Sequence, residues 1–176
     1  MTDHEEMLNE AFLQYRRVVE VLESGAVDQL EALAHELPGF PDGEDPFLGR
    51  RWITNALGEG SKRAVEWMLQ KGVDLTFCDP EGYTPIHTTL DRARDDRYEL
   101  LDALLKAGAP VNVKGANDWT PAHMAAARDD VDALRILVRH GADLTIRTDI
   151  DDYATPLEEA RNLGRTKAVH FLESVL

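Results

Sequence analysis

One cysteine in 176 residues, Cys78, has no partner for an internal disulfide, and this fits a reducing cytoplasm. No apolar run approaches the ~20 residues that a bilayer asks of a spanning helix, so no membrane segment is expected. The opening MTDHEEMLNE is acidic and polar where a secretory leader would be basic and then apolar, so no leader is expected either. Basic residues are scarce as well: 19 stand against 33 acids, for a net charge of −14. The deficit is uneven. Residues 1–49 hold twelve acids and only Arg16 and Arg17, whereas residues 50–176 hold twenty-one acids against seventeen bases. Such a chain repels phosphate backbones, which excludes nucleic-acid binding by counterion release. Two uses of the acidity stand: solubility, or a field that steers a basic protein partner. The composition, 43% apolar and 30% charged, is that of one globular domain long enough to bury a core.

What the sequence does have is internal repetition. Thr84-Pro85-Ile86-His87, Thr120-Pro121-Ala122-His123 and Thr155-Pro156-Leu157-Glu158 lie 36 and 35 residues apart. A second set, WMLQKGVDL (67–75), ALLKAGAPV (103–111) and ILVRHGADL (136–144), places Gly72, Gly108 and Gly141 in matching positions. Each part has a physical reason. The threonine hydroxyl caps a first helix by accepting from an orphan amide. Proline at the first helical position needs no N–H and already has a helical φ. Ala125 and Ala126 let two short helices approach. Leu134, Leu137 and Val138 put an apolar face on the second helix, and Gly141 ends it as a residue free to take positive φ.

A period near 33 built from Thr-Pro-Leu-His, two helices and Gly-Ala-Asp resembles the ankyrin repeat over residues 51–176. The resemblance implies an all-α ankyrin-repeat solenoid of about five helix pairs, joined by hairpin-like fingers. Residues 1–49 read as a degenerate N-terminal capping pair followed by an acidic Pro/Gly loop, PGFPDGEDPFLG (38–49). In the first helix, Leu8, Phe12, Tyr15, Val19 and Leu22 form one apolar stripe. Residues 50–176 read as repeats at about 50–82, 83–117 and 118–152 with a C-terminal cap at 153–176, the whole forming one continuous domain. The unit from Thr84 carries three extra residues around RARDDRYE, and the finger between Gly141 and Thr155 is two residues longer than its siblings.

Several groups invite chemical readings. His87 and His123, at the fourth position of Thr-Pro-x-His, are read as structural: the resemblance implies that they hydrogen-bond locally and tie neighbouring repeats. No Cys, Asp or third His shares their register, which argues against zinc. The run DIDD (149–152) lacks the ordered oxygens and the glycine of a calcium loop. GEGSKR (58–63) has the wrong spacing for a phosphate loop, and Gly60 fits a turn between helices. Asp79 beside Cys78 raises rather than lowers a thiol pKa. No catalytic constellation emerges; the chain is read as a non-enzyme without cofactor or metal.

Partners of ankyrin-like proteins lie against the fingers and first helices. On this frame the resemblance implies protein-binding positions at Glu81, Tyr83, Asn117, Trp119, Asp151, Asp152 and Tyr153 on the fingers, and outward positions at Thr88, Arg92, Met124 and Arg128 on the first helices. Tyr83 and Trp119 each precede a Thr-Pro, with Tyr153 close to the same row; such aromatics either anchor a partner or stiffen the stack. Trp67 is read as core. The resemblance implies a protein-binding adaptor or regulator, monomeric and cytoplasmic, whose partner is another protein rather than nucleic acid or membrane. An acidic immunity protein or antitoxin that neutralises a basic toxin is the alternative reading.

Overall fold

The computed structural model describes residues 3–149 and 153–176; Asp151 and Asp152, two of the expected binding positions, lie outside the described residues. Among the described residues the chain is all-helical, with ten α-helices in five consecutive pairs and a single isolated bridge between Glu44 and Arg51. None of these helices is long and apolar enough to cross a membrane. The chain divides into two compact units, Met1–Asp74 and Leu75–Leu176.

The first unit comprises α1 (Asp3–Ser24), α2 (Val27–Glu36), α3 (Trp52–Gly58) and α4 (Lys62–Gln70). The apolar stripe of α1 divides along its length: Tyr15, Val18, Val19 and Leu22 are buried, whereas Leu8 and Phe12 are exposed. The inner half packs because α1 lies against α2, α3 and α4. Ser61 joins α1 to α4 and caps α4. Its hydroxyl accepts from the Ala64 amide at 3.3 Å and donates to the Leu22 carbonyl at 3.0 Å. Trp67 is core, as its place in an apolar helix predicts, and its indole N–H donates to Glu31 at 2.8 Å. Between α2 and α3 the Pro/Gly-rich segment is an ordered loop held by the buried Asp45.

The second unit contains α5 (Pro85–Asp91), α6 (Arg97–Lys106), α7 (Pro121–Ala127), α8 (Val131–Arg139), α9 (Pro156–Asn162) and α10 (Thr166–Val175). First helices pack in the order α5, α7, α9 and second helices in the order α6, α8, α10, so within this unit consecutive pairs rest on one another. This is the nearest-neighbour stacking of a repeat protein. The core is built from Ile86, Leu100, Leu101, Leu104, Leu134 and Leu137, with Ala125, Ala126 and Ala160 where first helices meet. Proline stands at the first helical position of α5, α7 and α9, and Gly141 takes φ +85° just past the end of α8. A finger precedes each first helix and is closed by one backbone hydrogen bond: Asp79 N–H to Tyr83 O, Gly115 N–H to Trp119 O, and Thr148 N–H to Ala154 O. The third closure spans two more residues than the first two, matching the longer finger seen in the sequence.

The extra residues of the Thr84 repeat are absorbed in two places. The link from α5 to α6 runs from 92 to 96, against 128 to 130 for α7 to α8, and α6 has ten residues against nine in α8. This insertion overturns the outward placement of Arg92. The Arg92 side chain is fully buried and grips Asp96 across the link, Nε to Oδ1 at 2.8 Å and Nη2 to Oδ2 at 2.9 Å. The guanidinium holds the Asp96 carboxyl below its usual range. Met124 is likewise buried rather than outward, because α7 is flanked by α5 and α9 and keeps every residue from Pro121 to Ala127 from solvent.

Candidate protein-binding face

The fingers of the second unit are positioned from within by the two histidines. His87 accepts from the Thr84 hydroxyl through Nδ1 (2.8 Å) and donates through Nε2 to the Trp119 carbonyl (3.1 Å). His123 repeats the pattern with Thr120 (2.8 Å) and the Ala154 carbonyl (3.0 Å). A carbonyl can only accept, so both rings carry their proton on Nε2 and are neutral. Burial agrees: it pushes the pKa of His87 down to about 4 and that of His123 down as well. With both nitrogens committed, neither ring is free to act as a base or bind a metal. Each instead ties the start of one first helix to the base of the next finger. Glu158 takes the third position differently. It closes a capping box with Thr155 and pairs bidentately with Arg147 of its own finger, at 2.7 and 2.9 Å, which brings its pKa down to about 2.

Between the first two fingers and their helices lies a cavity of about 130 Å³, lined by Tyr83, Asn117, Trp119, Met124 and Arg128 together with Gly82, His87 and Ala116. Five of the positions expected from sequence therefore meet around one hollow. Tyr83 and Trp119 are half-buried in its walls, and Asn117 stands exposed at the second finger's tip in a left-handed turn, φ 56°, a conformation asparagine tolerates better than most residues. Met124, though buried, supplies the apolar floor. Arg128 reaches from the end of α7 back to the end of α5, donating to the Leu90 carbonyl at 2.8 Å and to Asp91 at 2.5 Å.

Thr88, Arg92, Glu81 and Tyr153 do not line this hollow. Thr88 is half-buried on α5, and Glu81 is exposed near the tip of the first finger. Tyr153 is 57% exposed. The place equivalent to Tyr83 and Trp119 in the third finger belongs to Ala154, whose carbonyl receives His123. Sequence reading missed two glycines that make the hollow. A Cβ on Gly82 would sit 2.7 Å from the Ala116 backbone, and one on Gly115 would sit 2.7 Å from the His87 ring. Their signal was in the chain: each lies in a finger a few residues before Thr-Pro. Lys114 was missed too; it pairs with Asp118 and Asp149, both at 2.7 Å, linking the second and third fingers.

Ligand pockets usually occupy ~300–1,000 Å³, so this hollow suits one inserted side chain better than a cofactor. Among the described residues no group of three or more His, Cys, Asp and Glu is arranged to hold a metal. Cys78 is exposed, and partial burial of its thiol together with Asp79 pushes its pKa up, away from nucleophilic use.

Residues 91–174 match the family model described as ankyrin repeats in three copies. The chain carries ankyrin repeats. Relatives include the RelA-associated inhibitor of Mus musculus, 38% identical over 107 residues, which are 61% of this chain and 12% of that protein. SH3 and multiple ankyrin repeat domains protein 2 of Homo sapiens is 35% identical over 99 residues, 55% of this chain and 5% of that one. E3 ubiquitin-protein ligase KEG of Arabidopsis thaliana is 32% identical over 94 residues, 53% of this chain and 6% of that one. The chain spans less than a third of the length of the curated relatives it matches. Such ankyrin repeats are a protein-interaction module.

Proposed function

We propose that the chain acts as an adaptor or regulator that binds another protein through the finger face of its second unit. The carrying observation is the convergence of Tyr83, Asn117, Trp119, Met124 and Arg128 on one hollow of side-chain size. Half-buried tryptophan and tyrosine at the rim of a preformed cavity have the character of binding hot spots, which favour Trp, Tyr and Arg in well-packed pockets. Exposed Glu81 and Tyr153 and half-buried Thr88 would form a surround to the hollow. The name of the RelA-associated inhibitor, a relative over 61% of this chain, accords with a regulatory role.

The test is recovery of the partner from host lysate on immobilised protein, followed by affinity measurement with the Trp119→Ala variant. A loss of about tenfold or more in affinity, with the thermal midpoint preserved, supports the reading. An affinity indifferent to Trp119 sinks it. Binding that instead follows the carboxylates and collapses with salt would indicate neutralisation of a basic protein.

A further inference from the structure

The first unit carries an apolar surface that the finger face does not explain. Leu8 and Phe12, one turn apart on α1, are 49% and 41% exposed; Phe47 and Leu48, in the loop before α3, are 40% and 47% exposed. These belong to one patch: the rings of Phe12 and Phe47 meet edge-on at 5.2 Å. Inward from the patch the aromatic contacts continue into the core, from Phe47 to Tyr15 at 5.7 Å and from Tyr15 to Trp52 at 6.3 Å.

The loop that displays Phe47 and Leu48 is firmly built. Asp45, 2% exposed, accepts from the amides of Phe47 (3.0 Å), Leu48 (2.5 Å) and Arg50 (3.1 Å) and from the Asn55 side chain (3.0 Å). Burying a carboxylate is costly unless hydrogen bonds satisfy it. Here four donors do so, and the loop they fix holds two large apolar side chains in water. Leaving those two side chains in water does little for folding. It is what association favours, because an apolar anchor already ordered loses less entropy when a partner arrives.

Charge selects the partner. Residues 3–15 contain Asp3, Glu5, Glu6 and Glu10 and no Lys or Arg. Glu59 is near enough to push the Tyr15 pKa up after burial has done so, with Arg16 and Arg50 acting in the opposite sense. Arg16 is engaged by Glu20 at 3.3 Å. We propose that Leu8, Phe12, Phe47 and Leu48 form a second docking surface, which receives a cationic amphipathic helix of a partner protein. Its apolar face covers the patch, and its lysines and arginines meet the exposed carboxylates of Glu6 and Glu10 on α1. A second copy of the chain would set acid against acid and is disfavoured.

The test uses the full chain and a synthetic Leu/Lys amphipathic peptide of about 18 residues, long enough to hold a helix, beside its Leu/Glu twin. Amide NMR shifts on titration should centre on Leu8, Phe12, Phe47 and Leu48 with the Leu/Lys peptide and be absent with the Leu/Glu peptide. The double substitution Phe47→Ser, Leu48→Ser should weaken binding about tenfold, and Leu8→Ser, which leaves the loop intact, should weaken it in the same sense. Shifts centred on Trp119, or affinity unchanged in both variants, would overturn the proposal. So would a concentration-dependent dimer abolished by the same substitutions, which would assign the patch to a second copy.

Discussion

Acidification should unfold the second unit partly through His87. The ring is neutral and buried in the folded chain, with a pKa of about 4, whereas an unfolded histidine titrates near 6.5. The unfolded state therefore binds a proton first as pH falls. The contribution of the neutral ring is complete above about pH 6.5, declines through the window down to about pH 4, and is constant below it, where both states are protonated. Each pH unit within the window is worth ~1.4 kcal/mol, so the full loss is about 3 kcal/mol, of which about 2 kcal/mol falls between pH 7 and pH 5. The assay is urea unfolding of the wild-type chain and of His87→Gln at several pH values in that range. The variant keeps a polar amide and loses the titration. It should be less stable at pH 7, and the gap should close by about 2 kcal/mol at pH 5 as the wild type falls faster. Carboxylates titrate in both proteins and cancel in the difference. A gap that stays constant within about 0.5 kcal/mol from pH 7 to pH 5 would refute the neutral, doubly bonded ring.

Three further substitutions test other parts of the structure. Asp45→Ala removes the acceptor for three amides and the Asn55 side chain; it should cost about 3 kcal/mol in urea unfolding and speed hydrogen exchange at Phe47 and Leu48. Leu137→Ala opens a cavity at a fully buried core position and should also cost about 3 kcal/mol, measured the same way. Arg92→Met should let the Asp96 carboxyl return toward its ordinary pKa, visible by carboxyl-carbon NMR, because Arg92 is the main cause of its depression.

The repeat was legible because its punctuation is local. Thr-Pro starts a helix and Gly stops one whatever lies around them, so Thr84, Thr120, Thr155 and Gly141 could be placed from spacing alone, whereas the fingers and the tie made by each histidine followed from the resemblance to the ankyrin repeat. Arg92 and Met124 were misplaced because facing depends on neighbours. An insertion folds Arg92 inward onto Asp96, and flanking helices on both sides enclose Met124. The hollow was half legible: the aromatic positions before Thr-Pro marked its rim, while the close approach permitted by Gly82 and Gly115 requires two fingers in three dimensions. The loop at 38–49 read only as Pro, Gly and acid. Nothing local distinguishes Asp45, the one acid turned inward, from Asp42 and Glu44 beside it.

The aromatic contacts of the first unit give the protein a built-in optical division. Trp52 and Trp67 are both buried there, joined through Phe40 at 5.8 and 5.9 Å, and Tyr15 stands 6.3 Å from Trp52, well placed to pass its excitation on. The third tryptophan, Trp119, belongs to the second unit and is half-buried at the hollow's rim. Emission from the first pair should be blue and sheltered from soluble quenchers, and that from Trp119 redder and accessible. Selective quenching would then report each unit separately, so melting of one unit and occupation of the finger face could be followed in a single unlabelled sample.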